Sequence, residues 1–225
     1  GMRDSAQDLL SVIAAVPAEA HDFLALLLAF QKQDGSAMHQ FNPLTLEGSA
    51  GDSMEMEDRP HYYSDDHLWL VLAACAYLKE TGDLAFLSEN IPFYEKDRQG
   101  QPLESAPVRE HLRRAVAFTR GDVGTHGMPL LDFADWNDTI NLPPGAESLF
   151  SANLYGRALL EFRRAGTGAS APEAASGAPP IAEEHAGVVD VALGQVAPDG
   201  GQPDQRAAQR RQPGLRALAV TDGHK

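Results

Sequence analysis

The sequence predicts an all-α protein: a partial (α/α)6 barrel built of helical hairpins, with long loops at one end and a disordered tail behind it. Three observations predict this. Apolar residues recur at helical spacing in successive segments between residues 4 and 164. Between pairs of these segments lie long stretches rich in Gly, Pro and polar residues, giving the order helix, turn, helix, long loop. Strands are hard to place anywhere. Loops gathered at one end of such an array are where function usually lives.

The elements follow in order. Asp4 to Val16 carries Leu9, Leu10, Val12, Ile13 and Val16 at helical spacing, and Pro17 ends it. Ala18 to Gln33 forms a second helix around Phe23, Leu24, Leu26, Leu27, Leu28 and Phe30, with Gly35 as its stop. Residues 35–63 read as a long loop. Ser64-Asp65-Asp66 then looks like an N-cap for a strongly apolar helix, His67 to Glu80. Thr81-Gly82-Asp83 turns the chain into a short helix, Leu84 to Asn90. Residues 91–104 are loop, and Ser105 to Thr119 is helical around Val108, Leu112, Val116 and Phe118. A Gly- and Pro-rich loop over 121–146 precedes a last helix, Glu147 to Arg164, in which Glu147 reads as a helix N-terminal charge.

The chain changes character after Phe162, which divides it into residues 1–162 and a tail, 163–225. The tail has no Phe, Trp or Tyr, and Gly, Ala and Pro make up 29 of its 63 residues, so it buries too little to offset its ordering entropy. It reads as a disordered linker or, preferably, as a wrong reading frame of a GC-rich gene. The opening Gly1-Met2-Arg3-Asp4 sits inside what looks like an ordered motif, so a preceding segment is expected.

Charge narrows the partners. The net charge of -14 comes wholly from residues 1–162, which hold 11 Lys/Arg against 25 Asp/Glu. Such a surface repels nucleic acid and anionic membrane. Acidic clefts with aromatic residues suit neutral polyols, because carboxylates accept hydrogen bonds from hydroxyl groups. No apolar run is long enough to span a membrane and no signal peptide is read. A cytoplasmic location is the expectation. Cys75, the single cysteine, lies in the apolar run Leu68–Leu78 and reads as a buried, inert thiol.

The stretch Phe133-Ala134-Asp135-Trp136-Asn137-Asp138-Thr139-Ile140-Asn141 carries the most chemistry. Trp offers a flat face for the C–H side of a pyranose, and carboxylates and amides fix hydroxyl groups. A carboxyl beside a large aromatic is partly desolvated, which favours its protonated form, as glycosidic cleavage requires. The alternative is an Asx-rich turn with a Trp lid. Arg3 and Asp4 begin the first helix, where Asp4 either caps it or joins Arg3 in holding a sugar. Tyr62-Tyr63-Ser64-Asp65-Asp66-His67-Leu68-Trp69 is either a helix cap or part of a sugar-lined wall. His39, His61 and His67 lack metal-ligand spacing, so no metal is expected. Phosphate-loop, dinucleotide and serine-hydrolase motifs are missing from the helical part.

Taken together, Gly-Met-Arg-Asp-Ser-Ala-Gln-Asp (1–8), Ser-Asp-Asp-His-Leu-Trp (64–69), Lys-Glu-Thr-Gly-Asp (79–83), His-Gly-Met-Pro-Leu (126–130) and Asp-Trp-Asn-Asp (135–138) resemble, in this order, glycoside hydrolase family 94, the cellobiose phosphorylase-like enzymes. The resemblance covers residues 1–162. It implies an (α/α)6 barrel that cleaves a β-linked glucosyl disaccharide or oligosaccharide with inorganic phosphate, giving α-glucose 1-phosphate with inversion. It implies Asp138 as general acid, Trp136 lining the glucosyl subsite, and Arg3 and Asp4 holding the glucosyl unit. Asp65, Asp66 and His67 match a family motif near the site, with no firm role assigned. Phosphate is a co-substrate, and no cofactor is implied. Family members are several times longer and often homodimeric, and their phosphate site comes largely from later helices. The chain alone is therefore expected to be inactive. A hydrolase on the same barrel and a non-catalytic sugar-binding fragment remain as alternatives.

Overall fold

A computed structural model describes residues 1–57, 59–140 and 142–167. Asn141 and the tail from residue 168 onward, with its expected disorder or frameshift, lie outside the described residues. The described part is helix-rich with a few short strands. It comprises α1 (Met2–Val12), α2 (Pro17–Leu28), β1 (Gln40–Asn42), β2 (Glu47–Ser49), a 3-10 turn (Gly51–Glu55), α3 (Asp66–Thr81), a second 3-10 turn (Leu84–Ser88), β3 (Asn90–Pro92), β4 (Ser105–Pro107), α4 (Val108–Gly121) and α5 (Leu149–Thr167).

The central element is α3, which packs against α1, α2, α4 and α5. Its sequence explains this: Leu68, Leu70, Val71, Ala73, Ala74, Cys75, Tyr77 and Leu78 are buried, so the helix is apolar around most of its circumference and has no face to give to water. The surrounding helices supply the rest of one core through Met2, Leu9, Leu24, Leu27, Leu28, Val108, Leu112, Val116, Leu154 and Ala158. Cys75 lies inside it, and burial pushes its thiol up to about 12. Among the described residues no helix is long and apolar enough to cross a membrane.

Several boundaries differ from the sequence reading. Helix α2 stops at Leu28, because the chain folds back in a Gln31–Ala37 bridge. The buried Gln31 amide holds this turn by donating to the Gly35 and His111 carbonyls, each at 3.0 Å. The stretches read as loops contain two antiparallel ribbons, β1 with β2 and β3 with β4. These strands are three residues long, too short for a period-two pattern to show. Ser105–Pro107 belongs to β4 and not to a helix, since a residue before proline is pushed towards extended backbone. Tyr94 joins the ribbons: the Gly48 N–H donates to its hydroxyl at 2.9 Å, and that hydroxyl donates to the Gly48 carbonyl at 3.2 Å.

Three helix N-termini meet at one end. The Met2 N–H donates to the His39 carbonyl at 2.8 Å, placing the start of α1 on the loop before β1. The Ser64 N–H, just before α3, donates to the Ala134 carbonyl at 3.0 Å. The Ser64 and Ser151 hydroxyls lie 2.8 Å apart, which brings the start of α5 to the same place. The partial positive charge of helix N-termini makes this end tolerant of buried carboxylates.

Gly35 has φ +99°, and a Cβ there would lie 2.2 Å from the Arg114 carbonyl oxygen. Gly35→Ala is expected to cost roughly 2 kcal/mol or more in urea denaturation, combining backbone strain with a backbone clash. Gly82→Ala, with positive φ but no atom within 4 Å, should cost only about 1 kcal/mol. Cys75 should resist Ellman's reagent in the native protein and react at the rate of global unfolding, so rapid native labelling would contradict this packing.

Candidate active site

Arg3 is the residue around which the site is built. It sits in the first turn of α1 and is almost fully enclosed. One terminal nitrogen, Nη1, donates to both oxygens of Asp65 at 3.2 Å and to the Asp135 carbonyl at 2.8 Å. The other, Nη2, donates to Asp138 Oδ1 at 2.5 Å. A single guanidinium thus joins α1, the start of α3 and the loop that follows α4. Burial opposes its charge, but Asp65, Asp138 and Asp66 outweigh this and hold it more firmly protonated than a free arginine.

Asp65 stands at the N-cap position of α3, yet its carboxylate makes no capping bond. It accepts instead from Arg3 and, at 3.0 Å, from the indole N–H of Trp69 one turn along. Burial, helped by the neighbouring charge of Asp66, pushes the Asp65 carboxyl up to about 7 against the pull of Arg3 and Trp69. Asp66 is fully buried. One of its oxygens lies 2.9 Å from His39 Nδ1, and the other has no hydrogen-bond partner among the described residues. Burial pushes Asp66 up as well, with His39 opposing. The His39 ring stacks on Tyr63 at 3.6 Å between centroids. Burial and then Asp138, Asp52 and Asp66 raise the Tyr63 hydroxyl to about 12.

The loop carrying Asp138 is tied down on both sides. Tyr63 bridges Asp132, which itself takes the left-handed conformation at φ +57°. Asp135 is buried, and its two oxygens accept from the Asn137 N–H at 3.0 Å and the Ser148 hydroxyl at 2.7 Å. Asn137 Oδ1 accepts in turn from the Thr139 hydroxyl at 2.8 Å. Asp135 and Asn137 therefore serve the Asx turn, and that turn presents the alternate residues Trp136 and Asp138 outward. Trp136 is 54% exposed, with its ring 6.4 Å from that of Phe150 at the start of α5. The Asp138 side chain is 52% exposed. The apolar enclosure by Trp136 expected for this carboxyl is not what surrounds it: Arg3 grips it from the inside, and its outer side faces solvent.

The sequence-predicted residues divide accordingly. Arg3, Asp138 and the buried Asp66 come together, with Trp136 two residues before the acid. Asp4 stands outside that hydrogen-bonded group among the described residues: its side chain is 75% exposed, with a carboxylate oxygen 3.8 Å from the Gly1 amino group. His67 does not join them either. It is fully enclosed, its Nε2 lies 2.6 Å from the Thr119 hydroxyl on α4, and its ring meets Phe118 edge-on. Burial pushes it down to about 3, so it stays neutral at pH 7. In both cases the reason is the helix: neighbours in sequence are about 100° apart, so Arg3 and Asp4, or Asp66 and His67, face different surroundings. Glu147 departs from its expected role too. Helix α5 begins at Leu149, and the Ser148 hydroxyl accepts the Ser151 N–H at 2.9 Å as its cap. Glu147 instead folds back to the His126 N–H at 2.8 Å and ring Nδ1 at 2.6 Å, closing the loop after α4.

Residues that sequence reasoning passed over are Asp65 as the partner of Arg3, His39 as the partner of Asp66, and Phe150 beside Trp136. Only the Asp65–Trp69 spacing of four was visible locally. Among the described residues no group of three or more His, Cys, Asp or Glu is placed to hold a metal ion. What the arrangement offers chemically is a half-exposed carboxyl, positioned by a buried cation, next to an exposed aromatic face.

Comparison with known proteins places this arrangement. The family model of the glycosyl hydrolase 94 superfamily catalytic domain matches residues 1–201, running past Phe162 where the recognised motifs end. The chain is similar to a solabiose phosphorylase from Paenibacillus borealis, 35% identical over 63% of this chain and 16% of that protein. It is similar to N,N'-diacetylchitobiose phosphorylases from Vibrio proteolyticus, 34% identical over 72% of this chain and 21% of that protein, and from Vibrio furnissii, 34% identical over 67% and 20%. The chain thus spans about a fifth or less of the length of these relatives. With well over half of its residues matched, the chain belongs to the glycosyl hydrolase 94 superfamily, within the catalytic domain.

Proposed function

We propose that this chain carries the glucosyl-binding and proton-donating part of an inverting β-glycoside phosphorylase, on a segment of an (α/α)6 barrel. The observation that carries the reading is the contact between buried Arg3 and half-exposed Asp138 beside Trp136. The family membership and the three phosphorylase relatives support it.

A glucosyl ring lies with its C–H face on Trp136. Arg3 takes up Asp138 Oδ1, which leaves Oδ2 to carry the proton towards the bridging oxygen. As that proton transfers, the bond from the anomeric carbon to the bridging oxygen breaks, and its electron pair stays on the departing sugar. Inorganic phosphate attacks the anomeric carbon from the opposite face and forms the new C–O bond, giving α-glucose 1-phosphate. An anionic nucleophile needs no base to activate it, so one catalytic carboxyl suffices, whereas an inverting hydrolase needs a second to activate water.

In the complete catalytic domain, Asp138→Asn should lower phosphorolysis of a β-glucosyl disaccharide by about 10²–10⁴-fold with folding intact. A retained rate would remove Asp138 from the role of acid, and glucose released without phosphate would point to hydrolysis. This chain by itself should show no turnover with cellobiose, laminaribiose or sophorose.

The enclosed Asp65 gives a pH test. Its carboxyl is pushed up to about 7, so the folded state holds a proton that the unfolded chain releases near pH 4. Stability from this group is therefore fully present below about pH 4 and is lost as pH rises towards about 7. Melting temperatures between pH 4.5 and 7.5 should fall more steeply for the wild type than for Asp65→Asn. Equal slopes would mean that Asp65 is already ionised throughout.

A further inference from the structure

We propose that His39 is a positioning residue of this site: by donating to the buried Asp66 carboxylate it sets the charge of the Asp65–Asp66 pair and leaves the Arg3 guanidinium free to grip Asp138. The inference deepens the reading of Arg3 and Asp138 as parts of a glucosyl site and rests on it.

His39 is built into its place. Its Nδ1 lies 2.9 Å from Asp66 Oδ2, the one side-chain hydrogen bond that the Asp66 carboxylate makes among the described residues. Its ring is stacked on Tyr63 with only 10° between the planes. Gly51 abuts it: a Cβ at that position, where φ is +64°, would lie 2.7 Å from His39 Cδ2. Its carbonyl accepts the Met2 N–H at 2.8 Å, one residue before Arg3. The His39 backbone is held at the start of α1, and its ring by Tyr63 and the 3-10 turn.

Charge arithmetic explains why the site needs it. Arg3 is one positive charge, and it faces Asp65 and Asp138 directly, with Asp66 behind. Two adjacent enclosed carboxylates repel each other, and a low-dielectric setting makes each resist ionisation. Without a second donor, Asp66 would take up a proton or would compete with Asp65 for Arg3, weakening the hold on Asp138. The His39 N–H on Nδ1 supplies that donor. The other groups that bear on this balance are the Tyr63 hydroxyl and Asp52 on the 3-10 turn beside it.

Carbon-13 NMR of carboxyl-labelled aspartate, followed across pH in the wild type, His39→Ala and His39→Asn, tests this. His39→Ala should raise the pH at which the Asp65–Asp66 pair binds its first proton by about one unit, a tenfold gain in proton affinity. His39→Asn sets an amide N–H near the lost Nδ1 and should recover most of that shift, which a purely space-filling role would not. An unchanged titration in His39→Ala, or an asparagine variant no different from alanine, overturns the proposal. If the alanine variant does not fold, the cycle with Asp66→Asn decides: in that background His39→Asn should leave the Asp65 titration unmoved, and a shift there overturns the proposal. Calorimetric glucose binding over the same pH range completes the test. Its pH midpoint should move with the carboxyl titration in His39→Ala, and an unmoved midpoint counts against His39. A wild type that binds no glucose sinks the glucosyl reading itself and leaves His39 to be judged by the titration.

Discussion

One guanidinium organises this end of the molecule. Arg3 is enclosed, and so is Asp65, so that pair meets in a low-dielectric setting, whereas Asp138 answers the same cation from a half-exposed position. Removing it would take away the cation that Asp65 and Asp138 share, and the enclosed Asp65 would then hold its proton more tightly. The same group that keeps α1, α3 and the Asx loop together also aims Asp138. Structural and chemical demands therefore fall on the same five or six residues, and neither can be relaxed alone.

The surroundings are arranged to tolerate that concentration of charge. The starts of α1, α3 and α5 face the cluster, and their N-terminal partial charges favour carboxylates. Asp135 is satisfied by a backbone N–H and the Ser148 hydroxyl, and Asp65 by Arg3 and Trp69. Asp66 is the exception, with one oxygen unpaired among the described residues. Buried groups left in this state are where low-dielectric sites hold chemical leverage.

Much of this was legible in the sequence, and the limits have physical causes. The helices declared themselves through apolar spacing, α3 most clearly because it is apolar nearly all round. The Asp-Trp-Asn-Asp stretch was found from its composition, and the Asx turn read there is present, since Asp135 and Asn137 make the turn that exposes Trp136 and Asp138. Three-residue ribbons carry too little pattern to be seen. Asp4 and His67 were grouped with their neighbours by sequence adjacency, whereas a helix sends adjacent side chains in different directions. The Arg3–Asp65, Arg3–Asp138 and His39–Asp66 partnerships span separations of 62, 135 and 27 residues, and no local rule reaches that far.

The Arg3–Asp138 contact also bears on how the site comes into being during synthesis. Its two halves are separated by 135 residues, most of the described chain. Residue 3 leaves the ribosome long before residue 138 exists, so the first helix emerges with its inward-facing cation unanswered. Contacts of such sequence separation close late, because the intervening chain must first lose the entropy of an open loop. The apolar packing around α3 can gather beforehand from nearer neighbours, while the pairing of cation and acid waits for the loop to arrive.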